Sequence, residues 1–570
     1  MSHIAQSEGT IWIVRRRAGD GARGVLVAAL VAALAVGCAP RGAGTPRAEP
    51  QPRASPTPTE AAPTRPPASA LPFTIAIEYG ILGVAKDYAA TGVTYAKPQM
   101  VYTIWGNLEP EPGVWLWGPL DALVAEYQSA GFTGLQVLLS AESPWAATRQ
   151  PKLGDPGDTF PKPEYLDDYS AFVTRVVERY DADGRDDMPG LRFPIHHYGI
   201  EREFTGFWPG SAEEYVRLLR LAYPAIKAAD PQAQVLLVAL LVPDVFDGSP
   251  GPEEVQRRLG KTPSFRKSLA DIQIILAAHD AYDIVDLHSL GDYSEIPTTT
   301  AWIRQQLAAV GAGAKRIWIG DCFPLSGLVG FGGFVAPTPF HPATLENRDA
   351  VVSLLKAVAD PADPQHEPAQ AWMFAEVARG LVKKIVVSAV AGIAGINVGN
   401  LEDWKTGVAA VDKLTVPTMG ASMFMGLMDT TVTQERPGGK LPYSGHLWSQ
   451  ARKAGTLRPG FYALQLVTAS MRDSSSAQRL DLGTGVWAQR FATPAGPLWV
   501  LWYDDGNLYL PGQTPPHRTV QLPFDGSRAL VTRTPTETGK GQSEPEVVQA
   551  AGGALSLVLD STPVFVRTAP

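Results

Sequence analysis

The sequence predicts an α/β fold, a (β/α)8 barrel followed by a C-terminal antiparallel β-sandwich, and three observations lead there. Beyond residue 72, short β-rich apolar runs alternate with longer amphipathic stretches, the rhythm of strand and helix units around a parallel sheet. Eight such runs can be read, the number a closed barrel needs. After about Leu457 the pattern changes to period-two runs separated by turn signals. A chain of 570 residues, 45% hydrophobic, is long enough to bury both cores.

The N-terminal segment reads differently. Arg15, Arg16, Arg17 and Arg23 precede an apolar run from Val25 to Val36 and then Gly37-Cys38, the layout of an export signal. The run is too short for a comfortable membrane span. Ala35-Val36-Gly37-Cys38 resembles a bacterial lipobox, with Ala35 where the motif usually has Leu. That resemblance implies a signal peptide over residues 1–38, lipidation of Cys38, and an exported protein held in the cell envelope by a lipid anchor on a bacterial membrane. Residues 39–71 are rich in Pro, Ala and Thr and nearly free of bulky apolar side chains, so they cannot offset their ordering entropy and are expected to be a disordered tether. The other cysteine, Cys322, then has no intrachain disulfide partner.

The barrel is expected over residues 72–456. Its candidate strands are Thr74 to Ile77, Met100 to Trp105, Leu135 to Leu139, Ile195 to Ile200, Gln234 to Leu240, Ile284 to His288, Arg316 to Ile319 and Ile393 to Val398. Helical periodicity marks Leu120 to Ala130, Tyr165 to Tyr180, Ala212 to Ala229 and Thr298 to Val310. Working residues of such barrels sit at the C-terminal ends of the strands, a rule that picks out Glu203, His288 and Asp321. The sandwich is expected over 457–570, with strands in VWAQRFAT, PLWVLWYDDGNLYL, HRTVQLPF, RALVTRT and ALSLVLDSTPVFVRT and a turn at Asp505-Gly506.

Charge and motifs exclude several functions. The formal charge is -8, and removing the Arg-rich leader makes it more negative, which argues against nucleic acid as a partner. There is no glycine-rich phosphate loop, zinc-like Cys/His cluster or Gly-x-Ser-x-Gly elbow. No cofactor is expected, and with a single His at the barrel mouth no metal is expected either.

Several segments resemble the clan-A glycoside hydrolases, TIM-barrel enzymes that often carry a C-terminal β-sandwich. WGNLEPEPGVWLWGPLD, Trp105 to Asp121, is similar to their segment after the second strand. SPWA, Ser143 to Ala146, resembles the close of the third strand, and the stretch from Gly206 is like the one that follows their acid/base glutamate. The resemblance implies a carbohydrate ligand, hydrolysis of an O-glycosidic bond, Glu203 as general acid/base and Asp321 in the place of the nucleophile.

The sequence departs from the pattern at three positions. Arg202 replaces the Asn beside the acid/base, Asp321 replaces Glu, and Leu290 stands where a Tyr usually supports the nucleophile. An Asp retracts its carboxylate by about 1 Å, enough to lower a rate about a hundredfold. A guanidinium beside Glu203 would lower its pKa, whereas a general acid must keep its proton. Arg202 itself could pair with Asp321 or with an anionic sugar. His288, Trp145 and Trp208 are the further candidates for substrate contact, the tryptophans by stacking on sugar faces. The same departures also describe a relative that has lost hydrolysis and binds glycan or serves as an envelope scaffold.

Overall fold

A computed structural model describes residues 73–149, 159–241, 245–246, 248–259, 267–289, 291–324, 347–399, 426–445 and 449–570. The leader and the tether, with Cys38, lie outside the described residues, as does Leu290. Eight parallel strands close into a barrel: β1 (Thr74–Gly80), β2 (Tyr95–Pro98), β3 (Gly134–Leu139), β4 (His197–Ile200), β5 (Gln234–Leu241), β6 (Ile284–Ser289), β7 (Arg316–Cys322) and β8 (Gly395–Val398), with β8 pairing back onto β1. Helices α1 (Gly118–Ala130), α2 (Leu166–Tyr180), α3 (Ala212–Ala229), α4 (Leu269–Ala277), α5 (Ile296–Ala309) and α6 (His366–Val390) follow β2 to β7 in turn.

The helices form where the sequence places apolar residues at three- and four-residue spacing. On α2 the buried set is Tyr169, Phe172, Val173, Val176, Val177 and Tyr180, one continuous stripe against the sheet. On α3 the Ser211 side chain accepts from Glu214 N at 3.2 Å and satisfies one of the helix's free N–H groups. Inside the barrel Leu138, Leu236, Val238, Ile284 and Trp318 make an apolar cluster. Trp318 fits because β8 presents Gly395: a Cβ there would lie 2.5 Å from the indole.

The second strand is the one barrel strand that the sequence misplaces. It is Tyr95–Pro98, whereas Met100–Thr103 forms a 3-10 turn after it. The true strand is four residues long, holds a lysine and ends in proline, so it lacks the apolar run that identifies the others.

The expected sandwich also begins later than the change of pattern suggests. Pro459–Met471 is a helix, α7, which buries Phe461, Ala463, Leu464, Val467 and Met471 and packs against α6. Its residues are apolar over much of the circumference, a pattern that hides the helical period. Then come β9 (Ser476–Leu480), β10 (Val486–Thr493), β11 (Gly496–Tyr503), β12 (Arg518–Pro523), β13 (Arg528–Arg533), β14 (Glu546–Gln549), β15 (Ala554–Leu559) and β16 (Val564–Thr568). The six-stranded antiparallel sheet runs β9-β10-β11-β16-β13-β14, and β12 pairs with β15 in a second sheet. Before the turn expected at Asp505-Gly506 the strand ends at Tyr503, and residues 507–510 after it form no strand.

Alternation along β11 explains its unbroken apolar run. Leu498, Val500 and Trp502 join the barrel's core cluster, while Trp499 and Leu501 belong to the core that β12 and β15 cover. Trp502 lies parallel to Trp487 at 5.8 Å and donates from Nε1 to the Tyr293 hydroxyl at 3.1 Å. Tyr293 in turn donates to Asp504 Oδ2 at 2.5 Å, and Lys383 of α6 reaches the same oxygen at 3.3 Å. Barrel and sandwich are therefore joined by a buried aromatic and ionic contact. Trp502→Ala is expected to cost about 3–5 kcal/mol, read as a lower midpoint of urea unfolding.

Candidate active site

Glu203, His288 and Asp321 come together at the C-terminal ends of β4, β6 and β7. One donor atom from each falls within 4.8 Å of the others. His288 Nδ1 is 2.7 Å from Glu203 Oε1, and its Nε2 is 3.5 Å from Asp286 Oδ1. Asp321 Oδ2 accepts from the Tyr79 hydroxyl at 2.9 Å. All three residues are buried, at 9%, 4% and 2% exposure for Glu203, His288 and Asp321.

Two strained backbone positions set this geometry. Tyr79, at the end of β1, and Glu201, just past β4, both have positive φ, at 55° and 58°. Such conformations cost about 1–3 kcal/mol for a residue with a Cβ and persist where the surroundings over-determine them. Glu201 is held by its own carboxylate, which accepts from Ala141 N at 2.6 Å and from Ser140 Oγ at 3.2 Å. Two residues later Glu203 points into the cluster. Tyr79 is held at its far end by the bond to Asp321.

Beneath the cluster is a buried charged layer that the sequence analysis did not identify. Lys97 on β2 lies 2.5 Å from Glu78 Oε1 on β1 and donates to Gly320 O at 2.6 Å. Asp286 on β6 accepts from Gly320 N at 3.0 Å. Gly320 is required here, since a Cβ would lie 2.0 Å from Asp286 Oδ2. Lys97 was hidden by the misplaced second strand. Asp286 was legible as the residue two before His288, on the same face of β6.

Burial dominates the electrostatics. Desolvation raises the Glu203 carboxyl to about 7, although Lys97 and Arg202 both pull it down. The expectation that Arg202 would lower Glu203 is thus outweighed. Desolvation also raises Asp321, but His288, Lys97 and the Tyr79 hydroxyl oppose that rise. His288 is held below its usual value by burial, against the pull of Asp286 and Asp321.

Arg202 does not pair with Asp321. Its guanidinium bonds Glu142, just past β3, and Asp321 takes Tyr79 instead. Trp145 is half-buried, packed edge-on against Trp105 at 4.9 Å and Tyr165 at 5.1 Å, with Nε1 donating to Glu109 O at 3.0 Å. Trp208, expected at the substrate, is only 4% exposed; it packs on Tyr215 at 5.2 Å and donates to Ser211 O, so little ring surface remains for a ligand. A separate cavity of about 300 Å³ lies between α6 and residues 503–516, but none of Glu203, His288 and Asp321 lines it.

The chemistry available is that of two neighbouring carboxyls, Glu203 raised to about 7 and Asp321 also raised by burial but with Lys97 and the Tyr79 hydroxyl favouring its anion. Tyr79→Phe removes a hydrogen bond to the charged form, worth about 1.5–3 kcal/mol. The Asp321 carboxyl should then titrate about one pH unit or more higher, followed by carbon NMR of the labelled side chain.

Comparison with known proteins agrees with this fold. No protein-family model matches the chain, and no curated protein matches it. A family 39 glycoside hydrolase from the gut symbiont Bacteroides cellulosilyticus WH2 is similar with a TM-score of 0.52 and 11% identity, over 88% of this chain and 81% of that one. A conserved exported protein from Bacteroides fragilis is similar with a TM-score of 0.50 and 9% identity, over 87% of this chain and 96% of that one. At such identities the likeness is one of fold, a (β/α)8 barrel followed by a β-sandwich.

Proposed function

We propose that the protein is an exported glycoside hydrolase that cleaves an O-glycosidic bond with retention, Glu203 acting as general acid/base and Asp321 as nucleophile. The observation that carries this reading is the carboxyl spacing. Oxygens of Glu203 and Asp321 lie no more than 4.8 Å apart, on the retaining side of the 6.5–9.5 Å that leaves room for a water in inverting enzymes. The shorter Asp does not open the gap. The β7 ladder shifts register on both edges around Gly320 and Asp321, and such a bulge re-aims a side chain.

The mechanism follows from the two environments. Glu203, with its pKa about 7, keeps a proton for the leaving oxygen at mildly acidic pH. Asp321, supported by Tyr79 and Lys97, attacks the anomeric carbon and forms the covalent intermediate. Glu203 then takes a proton from water to release it. His288, bonded to Glu203, fixes its orientation. Arg202 and Lys97 are each tied to a carboxylate, so the site favours a neutral sugar over a uronic acid, with Trp145 as the stacking surface.

A catalytically silent relative that binds glycan remains the second reading, favoured by the replacement of the Asn by Arg202. Turnover on a panel of neutral aryl glycosides and oligosaccharides separates the two. Glu203→Gln and Asp321→Asn should each lower kcat by at least about a thousandfold with circular dichroism unchanged, and proton NMR should show the product first in the substrate's anomeric form. Loss of the Glu203 proton should make kcat/KM fall as pH rises through about 7, and that limb should vanish in Glu203→Gln. Wild-type glycan binding without turnover would establish the second reading.

We also propose lipid attachment at Cys38, supported by the basic segment, the apolar run and Gly37-Cys38. Among the described residues no helix is long and apolar enough to cross a membrane. Mass spectrometry of the envelope-extracted protein should show a diacylglyceryl cysteine, absent from Cys38→Ala. A cleaved, unmodified native protein would overturn the anchor.

A further inference from the structure

We propose that Glu203, His288 and Asp321 together form a binding site for one divalent ion of the zinc type, and that its occupancy switches hydrolysis off. The switching half rests on the glycosidase reading; the binding half does not.

The donor set comes first. An imidazole nitrogen and two carboxylate oxygens, from three different strand ends, lie within 4.8 Å of one another. Zinc bonds to such donors at about 2.0–2.2 Å, which sets neighbouring donors about 3–3.5 Å apart in a tetrahedron. The His288 Nδ1 and Glu203 Oε1 pair, at 2.7 Å, is already close to that spacing. Side-chain shifts of about an ångström complete it. Three protein donors leave a fourth position for water, so the ion can exchange. The imidazole selects against magnesium and calcium, which prefer oxygen cages.

Unsatisfied atoms are the second observation. Among the described residues, Glu203 Oε2 and Asp321 Oδ1 are buried with no hydrogen-bond partner, as are Glu78 Oε2 and Asp286 Oδ2 in the layer below. Buried oxygens of this kind are rare without a ligand, ion or ordered water. Four carboxyl groups, those of Glu78, Glu203, Asp286 and Asp321, are gathered here around one lysine, Lys97, and His288. A divalent cation offsets that excess and takes up lone pairs that nothing else in the cluster reaches.

The surroundings of His288 are the third. Metal-binding imidazoles commonly present their far nitrogen to a carboxylate, which fixes the ring and its tautomer. Asp286 Oδ1 stands 3.5 Å from His288 Nε2, and Asp286 is itself anchored by Gly320 N. At that distance Nε2 makes no hydrogen bond among the described residues, while Nδ1 faces Glu203 Oε1 at 2.7 Å. With the ion bound, Glu203 can neither hold nor donate a proton at the coordinating oxygen, and Asp321 cannot attack.

Calorimetric titration of the chelator-treated full chain with zinc tests this. The expected result is one equivalent bound with micromolar or tighter affinity, weakened at least tenfold in His288→Gln and in Asp321→Asn and unchanged in Asp183→Asn. The last variant controls for the more exposed Glu178, Asp181 and Asp183 group, which also clusters carboxylates. Should a variant fail to fold, cobalt added to the wild type should give the intense visible bands of a tetrahedral nitrogen and oxygen site; weak octahedral bands would overturn the proposal. So would the absence of binding, or binding that persists in both variants. Hydrolysis should decline along the same zinc curve and return with chelator, and hydrolysis unaffected at full occupancy would overturn the switch. A wild type that binds zinc at this site yet cleaves no glycan leaves the ion site standing and removes the hydrolase reading alone.

Discussion

Lys97 is the charge on which the barrel mouth depends. It is 2% exposed, so its ammonium has lost nearly all its water, and burial alone would lower its pKa. Glu78, Asp286 and Asp321 more than reverse that, and its pKa is raised. The same ammonium pulls down Glu203, Asp286 and Asp321 in turn. Removing one partner of a buried pair costs about 3–5 kcal/mol because the other charge is stranded. The layer is thus held by mutual need, and it supplies a rigid polar floor for the residues above it.

That floor is connected to the apolar interior by hydrogen bonds. Lys97 and Asn397 both donate to Gly320 O, at 2.6 and 3.2 Å. Asn397 also donates to Gln136 Oε1 and accepts from Trp318 Nε1, each at 2.9 Å. A chain of polar contacts therefore runs from the indole in the apolar cluster up to the carboxyls at the mouth. Each link has a partner on a different strand, so the strands are fixed in relative height as well as in register. A site that requires oxygens within about half an ångström of their working positions benefits from such a scaffold.

The sequence made the fold legible where periodicity is strong and the site legible where a strand end is clear. Seven of the barrel strands announce themselves as apolar runs, and their ends deliver Glu203, His288 and Asp321. β2 does not, because a strand whose centre is a buried lysine looks like a loop. Its loss concealed Lys97 and, with it, the charged layer. Tyr79 was concealed for a different reason: only a left-handed turn at the end of β1 sends its hydroxyl to Asp321, and nothing in the pattern TIAIEYG marks a tyrosine for that conformation. Burial of Trp208 was equally unreadable, since an aromatic that packs on a helix and one that faces a ligand have the same residue type and the same spacing.

The departures from the clan-A pattern are easier to understand together than singly. Asp321 is shorter by one methylene than the Glu of that pattern, but the strand that carries it bulges at that point. A tyrosine is missing two residues after His288, but Tyr79 brings a phenol to Asp321 from β1. Arginine replaces a neutral amide beside Glu203, but Glu142 takes the guanidinium, and desolvation still carries the Glu203 proton to about 7. In each case a neighbouring feature acts on the physical quantity that the replacement disturbs: the bulge on reach, Tyr79 on hydrogen bonding to the anion, and burial on proton affinity.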